Sequence, residues 1–193
     1  MSVERAPGDE PRRVDTDLSD VRAAQADHAA FGTLYRRYLD RVYGYSFYLL
    51  GDHHDAEDAT ERTFLAALGA IDQFRDEGAT FRSWLFRIAH NQLANALRAR
   101  SRRRDESLDH VREPAAADDP ARLASLADDA RRLRESVASL SEDRRQVVIL
   151  RFVDGLTSRE IGEVLGRTEG AVRVLQHRAL RELAVLLERG GAD

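Results

Sequence analysis

Residues 157–187, TSREIGEVLGRTEGAVRVLQHRALRELAVLL, decide the fold of the C-terminal part of this chain. Thr157-Ser158-Arg159-Glu160 matches a capping box, which opens a short helix. Gly166 predicts a tight turn after Leu165, because glycine tolerates the left-handed backbone at a helix end. A longer helix follows, from about Thr168 to Leu187. Two helices joined by a short turn predict a helix-turn-helix motif.

The last helix has two chemically different faces. At 100° per residue, one face is apolar and carries Val172, Leu175, Ala179, Leu183 and Leu186. The other face and the turn before it carry the residues that we predict to contact DNA, namely Arg167, Thr168, Gly170, Arg173, Val174, His177, Arg178 and Arg181. A helix with arginines near its N-terminus can enter the major groove and contact guanine edges and phosphates. The alternative is a solvated face of an ordinary helical bundle.

A second amphipathic helix is predicted upstream, from about Thr80 to Ser101. Its apolar face carries Leu85, Phe86, Ala89, Leu93, Ala96 and Leu97, and its other side carries Trp84, Arg87, Asn91, Asn95, Arg98 and Arg102. An aromatic ring beside Asn and Arg can stack on an exposed base while its neighbours bind the backbone or base edges. The alternative for Trp84, the only tryptophan, is packing against a neighbouring helix.

The periodicity of the whole chain predicts an all-α protein with two small domains. Residues 17–104 form the first domain and residues 123–187 the second. We expect a flexible linker at 105–122, a disordered tail at 1–16 and a short tail at 188–193. Residues 105–128 carry seven acidic and two basic groups, so the linker is strongly acidic. We expect the two domains to be separate and to leave apolar helical surfaces open.

Composition excludes several classes of protein. The chain has no cysteine, so disulfides and thiolate metal sites are excluded. It has no apolar run long enough to span a membrane and no signal peptide, so we expect a cytoplasmic protein. All 30 basic residues are arginine, yet the net charge is −4, which argues against a protein that coats nucleic acid.

Nothing in the sequence supports catalysis. There is no nucleophile elbow, Walker loop or glycine-rich phosphate cradle, and we expect neither a cofactor nor a metal. The run from His53 to Asp58 spreads around its helix, and the helix dipole accounts for its acidic residues. A DNA-acting enzyme such as a recombinase or nuclease would need clustered carboxylates or a nucleophile beside arginines, which we cannot assemble here.

Two groups of motifs together resemble the extracytoplasmic-function sigma factors of bacterial RNA polymerase. Residues 31–104 resemble conserved region 2, in Phe31-x-x-Leu34-Tyr35-x-x-Tyr38, Gly51-Asp52-x-x-Asp55-Ala56-Glu57-Asp58, Thr63-Phe64-Leu65 and Phe81-Arg82-Ser83-Trp84-Leu85-Phe86-Arg87-Ile88-Ala89-His90-Asn91. Residues 123–187 resemble region 4, in Leu140-x-x-x-x-Arg145-x-Val147, Gly155-Leu156-Thr157-x-x-Glu160-Ile161, Leu165-Gly166, Gly170-x-Val172-Arg173 and His177-Arg178-Ala179-Leu180. Both groups occur in order, with an acidic segment between them.

The resemblance implies a promoter-specific transcription initiation factor. Region 2 would bind the clamp helices of the largest polymerase subunit and would contact and melt the −10 element, through Phe81 together with the polar side of the upstream helix. Region 4 would bind the flap of the second-largest subunit and the −35 element. The acidic linker would occupy a basic channel of the polymerase. The resemblance also makes an anti-sigma factor a predicted partner.

The residues predicted to bind polymerase are Asp55, Asp58, Glu61, Arg62, Phe64 and Leu65. This chain departs from the family here, since Glu61 and Arg62 stand where a Gln and an acidic residue are usual. Asn95 stands where the family often has Asp. The rival hypothesis is a conventional helix-turn-helix regulator that binds its operator without polymerase.

Overall fold

The computed structural model describes residues 16–106, 132–152 and 154–190, and the side chains of residues 16–98, 132–152 and 154–188. Within these ranges all regular structure is helical, which confirms the all-α prediction. The helices are α1 (Leu18–Ala26), α2 (Phe31–Leu50), α3 (His53–Ala70), α4 (Phe81–Glu106), α5 (residues 132–139), α6 (Glu142–Phe152), α7 (Ser158–Leu165) and α8 (Glu169–Gly190). The predicted N-terminal tail, most of the predicted linker and the start of the predicted second domain lie outside the described residues.

The first domain consists of α1 to α4, which pack around a core dominated by α2 and α4. The predicted apolar stripes supply this core: Leu34, Tyr38, Val42 and Tyr45 from α2, and Phe81, Leu85, Phe86, Ala89 and Leu93 from α4 are all buried. Tyr45 packs edge-to-face on Phe86 with ring centroids 5.6 Å apart. Its hydroxyl lies 3.3 Å from Nδ1 of His90, and burial lowers the pKa of this histidine below its ordinary 6.5.

The predicted helix boundary at Gly51-Asp52 is confirmed. Gly51 ends α2 in the left-handed conformation, with φ 68°, and its N–H bonds to the carbonyl of Phe47. Asp52 caps α3, because its carboxylate accepts the backbone N–H of Asp55 at 3.1 Å. The sharp reversal at this point brings α2 and α3 together side by side.

The N-terminal helix α1 is fixed to α2 through Asp17. The Asp17 side chain is buried and accepts hydrogen bonds from the Tyr38 hydroxyl and from the guanidinium of Arg37. Arg37 also donates to Asp20 at 2.6 Å. Burial and the bond to Asp17 raise the pKa of Tyr38, so the phenol stays protonated and serves as a donor. This network orders the start of the first domain.

The second domain consists of α5 to α8. The inner side of α6 is buried from Val147 to Leu150, and it packs against α7 and α8. Arg144 of α6 forms an ion pair with Glu182 of α8. Nη1 of Arg151 donates to the carbonyl of Leu156 at 2.9 Å, which fixes the entry to α7. The two helices of the helix-turn-helix motif, α7 and α8, therefore pack on α6.

The two domains are in contact, which differs from the separate domains that we expected. Helix α4 packs against α7, and α2 contacts α6, so the buried residues of both domains form one continuous core. Helix α4 also continues to Glu106, two residues beyond the predicted end of the first domain. The sequence pattern did not predict the contact, since periodicity identifies buried faces but not the elements that cover them.

None of the described helices has a stretch long and apolar enough to cross a lipid bilayer.

Candidate nucleic-acid interface

The helix-turn-helix motif is built as its sequence predicts. Thr157 and Glu160 form a complete capping box at the start of α7. Gly166 ends α7 in the left-handed conformation with φ 65°. After this turn, Thr168 caps α8, because its Oγ1 accepts the N–H of Ala171 at 3.2 Å. Both ends of the turn are thus fixed by side-chain or glycine chemistry, and the orientation of α8 relative to α7 is well defined.

Helix α8 presents an arginine-rich face to solvent. Its inner residues Val172, Ala179 and Leu183 are buried against α6 and α7. Most of the residues predicted to bind DNA are exposed, namely Arg167, Thr168, Gly170, Val174, His177, Arg178 and Arg181. The structure therefore gathers the predicted −35 contact set on the motif's outer side, in the position that a major groove could accept.

Two of the predicted DNA-binding arginines are held by carboxylates of the same domain. Arg173 is half-buried and donates to Glu169 one turn earlier on α8. Nη2 of Arg167 donates to Asp143 of α6 at 2.7 Å. Both pairs are partly exposed, so exchange of the carboxylate for a phosphate or a guanine edge involves a small net cost. These ion pairs fix the positions of the two guanidinium groups in this structure.

The polar side of α4 is also exposed. Arg87, Asn91, Asn95 and Arg98 lie on it in successive turns, and all four are open to solvent. Nε of Arg98 donates back to the carbonyl of Ala94 at 3.1 Å. The side chain of Arg102, the last member of the predicted set, lies outside the described part of the structure. A row of two amides and two guanidinium groups suits the contact that we predicted with a single strand.

The two aromatic residues predicted at this surface take different positions. Phe81 is fully buried, with its ring edge-to-face against Tyr38 at 5.7 Å, so in this arrangement it cannot contact DNA as we predicted. Trp84 is half-buried, and its ring centroid lies 5.4 Å from that of Phe74 and 5.6 Å from that of Phe81. Aromatic rings bury a large apolar area, so Phe81 and Trp84 pack into or against the core.

Three of the residues predicted to bind polymerase, Glu61, Phe64 and Leu65, line a groove between α2 and α3. Asp55, Asp58, Glu61 and Arg62 are exposed on α3, and Leu65 is 61% exposed. Phe64 differs from the others, since it is buried and packs edge-to-face on Tyr35 at a centroid distance of 4.8 Å. Nη2 of Arg62 donates to Asp58 at 3.1 Å. An apolar groove with an acidic rim is suited to a partner helix of complementary pattern.

The described residues include no group of three or more His, Asp or Glu side chains that could hold a metal ion. In the run His53 to Asp58, Nδ1 of His53 lies 2.5 Å from the Tyr43 hydroxyl, and His54 lies 3.9 Å from Glu57.

Sequence reasoning missed the polar residues that join the two domains. Nη2 of Arg82, in α4, donates to both carboxylate oxygens of Glu160, in α7, at 2.8 and 2.6 Å. The Ser83 hydroxyl donates to Glu163 at 2.7 Å. Burial raises the pKa of Glu160, but the bonds from Arg82 and Thr157 outweigh it and keep this pKa below 4.5. No local signal links residues 78 positions apart, although both lie in the motifs quoted above.

A further buried charge at this junction also escaped the sequence reasoning. Asp154 follows α6, is completely buried, and neither of its carboxylate oxygens has a hydrogen-bond partner among the described residues. Burial raises the pKa of Asp154 to about 7, although Arg41 of α2 and Arg82 of α4 act in the opposite direction. The group therefore titrates near neutral pH.

Comparison with known proteins identifies both domains. Residues 34–103 match the Sigma-70 region 2 family, and residues 130–183 match the Sigma-70, region 4 family. Together these two matches cover most of α2 to α4 and most of α5 to α8, in the order expected from the sequence motifs.

Curated relatives align with most of this chain. The chain is 40% identical over 172 residues to the ECF RNA polymerase sigma factor BldN of Streptomyces coelicolor, an alignment that covers 86% of this chain but only 64% of that protein. It is 33% identical to the ECF RNA polymerase sigma factor SigE of Mycolicibacterium smegmatis, over 97% of this chain and 72% of that one. It is 37% identical to the ECF RNA polymerase sigma factor ShbA of Streptomyces griseus, over 73% and 76% of the two chains.

Solved structures agree in fold and in the relative placement of the helices. CnrH, solved in complex with the cytosolic domain of CnrY, superimposes with a TM-score of 0.69 at 26% identity, over 91% of this chain and 99% of that one. The sigma factor RpoE of Bartonella quintana, solved with the anti-sigma factor NepR, gives a TM-score of 0.69 at 27% identity, over 82% and 96%. Because both sigma regions are present and several relatives above 30% identity align over most of their length, the chain belongs to the extracytoplasmic-function RNA polymerase sigma factors.

Proposed function

We propose that this chain binds core RNA polymerase and directs it to promoters as a transcription initiation factor, not as an enzyme. The observation that carries the proposal is the pair of exposed polar faces, on α4 and on α8, in one chain of this family. Helix α8 reads the −35 element in the major groove, and the outer side of α4 contacts the −10 element and assists its melting. The protein acts with the polymerase in the cytoplasm.

Polymerase binding uses one surface of each domain. The α2–α3 groove, with Leu65 exposed beside it, takes the clamp helices of the largest subunit. In the second domain, exposed apolar side chains surround a groove between α5, α6 and α8, and we assign the flap of the second-largest subunit to it. These side chains are Leu133, Phe152, Leu180 and Leu187, which are between 42% and 59% exposed. Exposed apolar patches of this kind mark interaction sites.

Regulation by an anti-sigma factor is the second part of the proposal. Two solved relatives of similar fold were obtained with CnrY or with the anti-sigma factor NepR bound. Because this chain has no cysteine, any redox sensing belongs to that partner. A pull-down from the native lysate in uninduced cells should recover a small helical protein, and recovery of polymerase alone would count against this part.

The direct test is co-purification with core polymerase followed by run-off transcription from genomic fragments. The proposal expects a stoichiometric complex and transcripts that start at discrete positions and require the chain. Band-shift assays with and without core separate this function from that of a conventional helix-turn-helix regulator. Since the chain neutralises few phosphates, it should bind duplex weakly by itself. Nanomolar binding by the isolated chain at physiological salt would favour the regulator.

A further inference from the structure

The connection between α3 and α4 is fixed by a side chain from a distant helix. Nε2 of Gln25, in α1, donates to the carbonyl of Ile71 at 2.9 Å and to the carbonyl of Phe74 at 3.1 Å. These two carbonyls are the first and the last of a single turn, since the N–H of Phe74 donates back to the carbonyl of Ile71 at 3.0 Å. One side-chain amide therefore bridges both ends of the turn at residues 71–74.

Phe74 is the apolar anchor of an otherwise exposed connection. Among residues 72–80, all of which the structure describes, only Phe74 is buried. Its carbonyl also accepts a hydrogen bond from Nη1 of Arg75 at 2.9 Å. The N–H and the carbonyl of Phe74 are thus both bonded, while the residues that follow it, as far as Glu77, are exposed. These hydrogen bonds fix the place at which the Phe74 ring enters the first domain.

The Phe74 ring supports Trp84, whose indole is half-buried on α4. Two aromatic rings contact the indole, that of Phe74 at a centroid distance of 5.4 Å and that of Phe81 at 5.6 Å. Phe81 belongs to α4 itself and is fully buried in the core. Phe74, by contrast, comes from the connection before α4. The turn at residues 71–74 therefore determines one wall of the site in which the indole lies.

Helix α1 has attachments to the first domain that do not involve Gln25. Asp17 joins the start of α1 to Tyr38 of α2, and Val21 and Ala24 bury its inner side. The Gln25 side chain is half-buried near the other end of the helix. Its two hydrogen bonds therefore act on the connection before α4 more than on the docking of α1.

We propose that Gln25 is a positioning residue for promoter melting, because it orients the Trp84 indole through Phe74. The inference rests on the proposed function of the outer side of α4. A ring stacks well on an extruded base when its own packing already holds it in the required orientation. Without the bridge from Gln25, the connection has more conformations, and the indole must be ordered at the moment when the base arrives. Opening of the promoter is then slower.

Tryptophan fluorescence of the free, full-length chain tests whether Gln25 orients the indole. Trp84 is the only tryptophan, so the emission reports its surroundings alone. Gln25→Glu places carboxylate oxygens, which accept but cannot donate, against the two carbonyls of the turn. We expect this variant to shift the emission to longer wavelength and to increase the quenching of the indole by acrylamide. Gln25→Lys retains a donor on a side chain of similar length and should leave both properties close to those of the parent.

Strand opening by the holoenzyme tests whether this orientation serves melting. Gln25→Glu should form open complexes on a duplex promoter about threefold to tenfold more slowly than the parent, since it lacks two hydrogen bonds. A pre-melted template should restore its abortive transcription, and Gln25→Lys should retain most of the opening rate on the duplex. A merely structural defect in α1 would instead lower transcription from both templates.

Arg22→Ala is the matched control, because it makes the same change in net charge at an exposed position of the same helix. It should behave as the parent in fluorescence and in opening. If Gln25→Glu does not fold, Gln25→Met, which keeps the length of the side chain without a donor, should show both defects. Unchanged emission, or an unchanged opening rate, in a folded variant without the donor would overturn the positioning role alone. If the parent holoenzyme opens no promoter, the proposed function fails and the positioning role fails with it.

Discussion

Gly162 and Arg167 meet backbone to backbone at the turn of the helix-turn-helix motif. The N–H of Arg167 donates to the carbonyl of Gly162 at 2.9 Å, and a Cβ added at position 162 would lie 2.6 Å from the Arg167 carbonyl oxygen. No real Cβ contact is that short, so only glycine allows the chain to return across α7 at this point. The close approach sets the angle at which α8 leaves the turn.

Gly162→Ala should therefore destabilise the second domain and weaken −35 binding. The added methyl group meets backbone that cannot rotate away, and overpacking of this kind costs about 1–3 kcal/mol. Urea unfolding measures the loss of stability, and band shifts of the holoenzyme measure the loss of DNA binding. Gly69→Ala is the control, since nothing lies within 4 Å of its Cβ position and it is inside α3. A neutral Gly162→Ala would show that the turn adapts.

Thr157→Ala should lower the free energy of unfolding by about 1 kcal/mol, because it removes the side-chain half of the capping box. The hydroxyl oxygen accepts the Glu160 N–H at 3.2 Å. Thr157→Ser keeps this oxygen and should retain most of the stability, as measured by urea unfolding. Equal losses of stability in the two variants would mean that the methyl group of Thr157 contributes more to stability than its capping hydrogen bond.

The sequence predicted those features of the fold that depend on neighbouring residues. The capping box at Thr157, the turn at Gly166 and the helix boundary at Gly51 are confirmed, because each is a local backbone requirement. The helical stripes identified the buried faces of α2 and α4. The same periodicity predicted which residues of α8 lie on its exposed face.

Features that depend on distant residues were not predictable in this way. The burial of Phe81 was not predicted, because its position near the polar side of α4 does not reveal the three aromatic rings that contact it. The Arg82–Glu160 pair joins residues from different domains, and periodicity carries no information about such pairing. The need for glycine at position 162 has no local signal, since only the returning chain at Arg167 requires it.

Asp154 should make stability depend on pH near neutrality. Its pKa rises from 3.8 in the unfolded chain to about 7 in the folded one, so folding takes up a proton. The contribution of this group to stability is fully present below 3.8 and is lost as the pH rises through about 7. Asp154→Asn removes the charge and should raise the free energy of unfolding at pH 8 by about 1–3 kcal/mol.

Urea unfolding of both chains between pH 5.5 and 8 measures this effect, and the difference between them isolates Asp154. The comparison with Asp154→Asn is needed because other ionisable groups also contribute. Arg41, Tyr45 and Arg82 interact electrostatically with the Asp154 carboxyl group. The contribution of His90 to stability changes with pH in the opposite direction. The lowered pKa of His90 means that its contribution is present above 6.5 and is lost as the pH falls. A constant difference across this range would show that Asp154 does not titrate there.

Substitutions on α8 and on the outer side of α4 should impair different steps of transcription initiation. Arg173→Ala should cost about 1–3 kcal/mol of promoter binding if the guanidinium contacts guanine, and the loss should follow the −35 sequence. Asn91→Ala should impair strand opening more than initial binding, since an extruded base needs a pocket that offsets its lost stacking. Asn91 is a cleaner probe than Trp84, whose ring packs on Phe74 and whose removal would also weaken the core.

Abortive transcription by the holoenzyme from duplex and pre-melted templates separates the two defects. A pre-melted bubble should restore activity to Asn91→Ala, because opening is no longer required, but it should not rescue Arg173→Ala. Arg22→Ala, at an exposed position of α1 away from both faces, should behave as the parent chain on both templates. Rescue of Arg173→Ala by the bubble, with no rescue of Asn91→Ala, would mean that α8 acts in melting and that the roles of the two helices are reversed.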